Sequence, residues 1–253
     1  MKKFFSVAFL NFKEAVRDKF FLGVVFFFVF YLLFCIFLGK LSVGHVDKVL
    51  RDAGLVGIEL TAIILIIFSF SFSFFREKEN RILEVYLSNF RPSVCIGGKI
   101  FGYVLLVALY LLLSGLGFAY LLYLNKAFNW PVLVALYPVF LKLVVVIFFS
   151  SLFSTLFSSA TTSLLSLLFV YLSAELIPSA LAIVQAYGSQ IQKVMIKGIY
   201  LFLPNMDKLD IKSLAVYGKL PALSNFLGIS LHIGVYCLFL WLINLFIFHK
   251  KEY

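Results

Sequence analysis

Residues 76–99 read Arg76-Glu77-Lys78-Glu79-Asn80-Arg81-Ile82-Leu83-Glu84-Val85-Tyr86-Leu87-Ser88-Asn89-Phe90-Arg91-Pro92-Ser93-Val94-Cys95-Ile96-Gly97-Gly98-Lys99, a charged interruption between two long apolar runs, 55–75 and 100–124. Each run is long enough to cross a bilayer, since a helix needs about 20 apolar residues to do so. The charges between them cannot stay in hydrocarbon, so the chain leaves the membrane here and re-enters it. Within the interruption, Glu79, Asn80, Arg81, Glu84 and Ser88 alternate with Ile82, Leu83, Tyr86 and Leu87 at helical spacing. That pattern predicts a surface helix with one face on lipid or protein and the other open to a partner.

The composition agrees. Of 253 residues, 63% are hydrophobic, 32 are Phe and only 13% are charged. The class is a polytopic helical membrane protein, with no room left for a sizeable soluble domain. The net charge of +10 would raise nucleic acid as a partner for a soluble chain. Here the basic residues flank apolar runs, so anionic headgroups are the expected counter-charge and no nucleic acid is expected. The three cysteines, Cys35, Cys95 and Cys237, fit neither a disulfide framework nor a metal site and read as small core residues.

Outward from the charged segment, six crossings are expected near 20–39, 55–75, 100–124, 131–157, 164–184 and 226–248. Before the first, Phe5, Phe9, Phe12, Val16 and Phe20 share a helical face, with Lys13, Glu14, Arg17 and Asp18 off it. Residues 1–19 therefore read as an uncleaved interfacial helix. A tight turn is expected at 125–129. The longer segment 185–225 carries an apolar stripe, Ile191, Val194, Met195, Ile199 and Phe202, and reads as a short helix or re-entrant pair on the outer surface. Lys2, Lys3, Lys13, Arg17 and Lys19, the basic residues of 76–99, and Lys250 and Lys251 fall on one side. The short loops opposite hold only Lys40, Lys48, Arg51 and Lys126. By the positive-inside rule both termini and the charged segment are cytoplasmic, which implies the inner membrane of the cell.

Chemistry-bearing clusters are sparse. The three histidines, His45, His232 and His249, show no haem or zinc spacing, and His232 reads as an interhelical hydrogen-bond partner. Gly-Lys pairs at 39–40, 98–99 and 218–219 lack both the earlier glycine and the following Ser or Thr of a phosphate loop. No metal, catalytic group or bound cofactor is expected, and any nucleotide chemistry must come from another chain.

Glu59, Lys142 and Glu175 fall inside or near the ends of crossings, where a charge costs at least about 2.5 kcal/mol on insertion scales. They could line a polar path or ion relay. Alternatively, Glu59 reaches water from the outer end, Lys142 snorkels, and Glu175 sits where its helix ends before Pro178. A pair between Lys142 and either glutamate is a further option. Gly98 and Gly102, Ser69 and Ser73, and Ser150, Ser154 and Ser158 recur at four-residue spacing, as close helix packing requires.

Several short motifs then fall in a familiar order: Asp52-Ala53-Gly54-Leu55, Arg76-Glu77-Lys78-Glu79-Asn80-Arg81, Leu87-Ser88, Gly98-Lys99-Ile100-Phe101-Gly102, and Leu203-Pro204-Asn205. With an amphipathic N-terminal helix and six crossings, the chain resembles the membrane subunit of a type-2 ABC exporter, the permease class that includes the nitrous-oxide-reductase maturation permease. Ile82 stands where many members have Thr, and Phe90 where Pro commonly follows. The resemblance implies a single all-α permease domain over 1–253 with a cytoplasmic coupling helix at about 77–88. Glu77, Glu79, Arg81, Leu83, Glu84 and Leu87 would meet a separate ABC ATPase carrying ATP and Mg. It further implies a dimer with a second copy or paralogue, export of an unidentified substrate, and an extracytoplasmic partner for the outer segment. Two other classes stay open: an ATP-independent secondary transporter or channel using Glu59, Lys142 and Glu175, and a membrane anchor or assembly subunit.

Overall fold

The computed structural model describes residues 2–42, 45–202, 206, 209–220 and 223–250. Helix α1 (Lys2–Arg17) turns into α2 (Lys19–Leu41) at Asp18, whose carboxylate accepts the Phe20 N–H at 3.0 Å and caps α2. Twenty-three residues make α2 about 35 Å long, enough for a bilayer core of about 30 Å, with Lys19 and Lys40 near its two ends. Phe21, Val24, Phe28, Leu32 and Cys35 form its buried stripe, while Leu22, Phe26, Phe30, Leu33 and Phe37 face outward as lipid-exposed surface would.

Helix α3 (Val46–Glu79) is the centre of the bundle, packed by α2, α5, α7 and α8. Its 34 residues rise about 51 Å, well beyond the roughly 30 Å of a bilayer core. The expected crossing at 55–75 is only its middle. A break follows, in which Arg81 takes a left-handed conformation (φ 56°), and then the short helix α4 (Ile82–Asn89). The single surface helix expected over 77–88 is thus two pieces at an angle, because an L-residue in that conformation cannot continue a right-handed helix.

Helix α5 (Pro92–Leu124) starts two turns before the expected 100. Pro92 occupies its first turn, where the missing N–H has no intrahelical bond to lose. The early start puts Gly98 and Gly102 inside the helix and against α1. A Cβ on Gly98 would come within 2.7 Å of Val7, and one on Gly102 within 2.7 Å of the Ala8 carbonyl oxygen. The small-residue spacing therefore seats the N-terminal helix through Val7, Ala8, Asn11 and Phe12. Phe5 and Phe9 of α1 are left outward.

Helices α6 (Trp130–Val134) and α7 (Leu136–Leu156) together form one candidate crossing. Helix α8 (Ala160–Tyr187) runs on through Pro178, so Glu175 lies in a helix interior rather than at the expected end. Helix α9 (Gln190–Phe202) and α10 (Lys212–Val216) form the described part of the long connection, and α11 (Leu223–Lys250) closes the chain. Six helices, counting α6 with α7, are long and apolar enough to cross a membrane: α2, α3, α5, α6–α7, α8 and α11. Among the described residues there is no strand. The Leu203-Pro204-Asn205 motif lies outside the described residues.

At the end of the bundle away from α1, Arg51 of α3 gathers the connections. Its Nε donates to the Ala127 carbonyl at 2.8 Å and its Nη1 to the Val216 carbonyl at 3.0 Å. The Lys48 ammonium lies 5.1 Å over the Tyr217 ring. Met206, Leu209, Ile211, Ala215 and Val216 are buried, so α10 is docked onto the bundle.

Candidate functional site

Two polar constellations stand out on α3, one at its C-terminal end and one nearer its middle. The first lies where α3, α4 and α5 meet. Glu77 Oε1 and Lys99 Nζ pair at 2.6 Å, both almost fully buried. The Ser73 hydroxyl donates to Glu77 at 3.2 Å and accepts from Lys99 at 3.3 Å. The Lys99 ammonium also lies 5.3 Å and 5.8 Å over the Phe74 and Phe70 rings. Every charge here has a partner, as burial in low dielectric demands.

Helix α4 sits on this base. Leu83 is 5% exposed and belongs to the core, and Tyr86 and Leu87 are half-buried beside it. The Cys95 thiol reaches the Tyr86 carbonyl at 3.7 Å. Burial, followed by the carboxylates of Glu77 and Glu14, pushes the Tyr86 phenol above its ordinary range. The opposite face carries Ile82 at 41% exposure and Val85 at 61%, beside exposed Glu84 and Ser88, with Glu79 and Arg81 exposed at the break. Of the residues expected to meet a partner, Glu79, Arg81 and Glu84 are at the surface. Glu77 and Leu83 are not: Glu77 still belongs to α3 and points inward to Lys99, and Leu83 anchors α4. The left-handed residue at 81 resets the helical phase, which turns Ile82 and Val85 outward instead.

The second constellation lies toward the opposite end and joins the intramembrane charges. Lys142 of α7 bonds Glu59 of α3 at 2.5 Å and also pairs with Glu175 of α8. Lys212, from α10, bonds the other Glu59 oxygen at 2.5 Å. The Tyr171 hydroxyl donates to Glu175 at 3.1 Å and lies 3.4 Å from Glu59. Glu59 and Lys142 do not reach water as the snorkelling alternative expected; both are under 5% exposed, and the pairing option is the one observed. Glu175, at 31% side-chain exposure, is the least buried of the three. Asp210, 40% exposed, lies 3.7 Å from Lys212 on the outer side, so three carboxylates surround the two ammonium groups. Burial works against the charge on Lys212, but the Glu59 carboxylate more than offsets it and holds this amine protonated above the ordinary lysine range. The arrangement pins four segments, α3, α7, α8 and α10, to one network of ion pairs.

A third set of polar groups stitches α7 to α8 and α11. Thr155 donates to the Asn244 side-chain oxygen at 3.0 Å, Asn244 donates to the Ser151 hydroxyl at 2.6 Å, and the Ser154 and Ser163 hydroxyls lie 3.3 Å apart. Ser158, expected in the same stripe, is exposed past the end of α7. His232 is exposed on α11 and has no hydrogen-bond partner among the described residues, which corrects its reading as an interhelical link.

Sequence reasoning missed Lys212, Tyr171, Lys99 and Asn244. Asn244 carried a usable signal, a lone amide deep in an apolar run. Lys212 did not, because it enters the membrane domain from a connection. No family model matches the chain, and no characterised protein matches its sequence significantly.

Proposed function

We propose that this chain is the permease subunit of an ATP-binding-cassette transporter that exports a substrate across the cytoplasmic membrane. A separate ATPase would supply the energy, and a second permease copy or paralogue would complete the pathway. The observation that carries the reading is α4. It is a short helix outside the six candidate crossings, rooted by Leu83 above a buried ion pair, and it presents Ile82 and Val85 with Glu84 to the exterior. Exposed apolar side chains ringed by charge suit a protein partner better than bulk water. The order of the charged and Gly-Lys motifs around it supports the same class.

The test is co-purification. Ile82→Asp with Val85→Asp is expected to abolish recovery of an ABC-type ATPase from the native membrane while leaving the monomer's melting temperature unchanged. A chain that never brings down such an ATPase, or whose double variant brings it down undiminished, overturns the reading.

The buried charges favour one other reading, an ATP-independent transporter or channel working through Glu59, Lys142 and Glu175. Ion or proton flux by the purified chain in liposomes without nucleotide, abolished by Glu59→Gln, would establish it.

A further inference from the structure

Where α1 turns into α2, the surface is hollowed into a recess of about 610 Å³ lined by Lys13, Glu14, Arg17, Asp18, Lys19 and Arg76. Both acids are already engaged: Glu14 pairs with Arg76 at 2.9 Å, and Asp18 caps α2 through the Phe20 N–H. Among the described residues, none of Lys13, Arg17 and Lys19 forms an ion pair. Four cations and two carboxylates line the recess, which leaves it a surplus of two positive charges.

Depth narrows the ligand. Helix α2 begins at Lys19 and is about as long as a bilayer core is thick, so its first residue lies at headgroup level. The lining includes one exposed apolar side chain, Leu10, and Phe20, next in sequence to Lys19, is exposed as well. A ligand that suits this place carries a negative head and a hydrocarbon tail. We propose that the recess binds the phosphodiester headgroup of an anionic phospholipid, with its acyl chains against Leu10 and Phe20. Lys13, Arg17 and Lys19 would surround the phosphate oxygens, and Arg76 would share its guanidinium between Glu14 and the headgroup. A zwitterionic lipid would bring its own ammonium against the same cations and bind less well. This site is independent of whether an ATPase docks on α4.

Native mass spectrometry of the full chain in detergent, titrated with phosphatidylglycerol, phosphatidylcholine or inorganic phosphate, tests it. Wild type is expected to hold one phosphatidylglycerol at least about tenfold more tightly than phosphatidylcholine. Each Lys or Arg near a membrane surface is worth roughly fivefold in binding to anionic lipid, so Arg17→Gln should weaken that lipid about fivefold and K13Q/R17Q/K19Q more than tenfold. Lys193→Gln with Lys197→Gln on α9 removes charge elsewhere and should change nothing. Unaltered phosphatidylglycerol binding by the Arg17→Gln and triple variants, or an equal loss in the α9 control, overturns the proposal. So does displacement of the lipid by equimolar inorganic phosphate, which would mark a site for free anions.

Discussion

At the scale of single residues, the Glu77–Lys99 pair makes the sharpest prediction. Removing one partner of a buried pair strands a charge and costs about 3–5 kcal/mol, whereas replacing both by apolar groups is often neutral. Lys99→Met alone should therefore lower the melting temperature in detergent strongly, and Glu77→Leu with Lys99→Met should recover most of it. An equal loss in single and double variants would mean that the pair does not hold this corner together. Neither residue was legible as a partner of the other. The pair spans α3 and α5 across α4, and Glu77 read as surface only because its neighbours in sequence are charged. Glu59, Lys142 and Glu175 were legible as anomalies because a charge in an apolar run is costly wherever it ends up. Their partnership was not, since distance between helices leaves no trace in spacing along one chain.

The elements divide along the same line. The six apolar runs were plain from composition, because only a long uncharged stretch can satisfy the bilayer. Their ends were not: the polar turns of α3 before 55 and after 75, and of α5 before 100, fell outside the expected crossings although the helices continue. The phase of α4 was hidden as well, because it is set by the backbone at Arg81 rather than by the amphipathic pattern. Helix α10 makes its own prediction. The Lys212 ammonium has a raised affinity for its proton in the folded protein, so its contribution to stability is fully present below about pH 10.5, the ordinary lysine value. That contribution is lost as pH rises through the higher folded value. Wild type should thus outmelt Lys212→Met by a constant margin from pH 6 to 9, and the margin should shrink above about pH 10.5. A margin that shrinks below pH 9 would contradict the Glu59–Lys212 tie. At neutral pH, Lys212→Met should also speed hydrogen exchange in 209–217 with little change in α5.

For the whole molecule, the six candidate crossings bring α11 back to the end that carries α1 and α4. The excess of Lys and Arg at that end predicts that it is cytoplasmic. A C-terminal fluorescent fusion should therefore fluoresce and an alkaline phosphatase fusion should be inactive; the reverse pattern would invert the proposed orientation and leave α4 unable to meet a cytoplasmic ATPase.

Helix α3 is an axle. It holds Glu59 toward its middle and Glu77 near its C-terminal end, about 27 Å apart at 1.5 Å per residue, with no proline between them. A stiff rod of that kind cannot absorb a twist along its length. Any torque delivered through α4 acts beyond the break at Arg81, and if the rod turns, it must turn Glu59 with it. The grip of Lys142 and Lys212 on Glu59 is then what resists the turn, so weakening that grip should make the far end easier to drive from the near one.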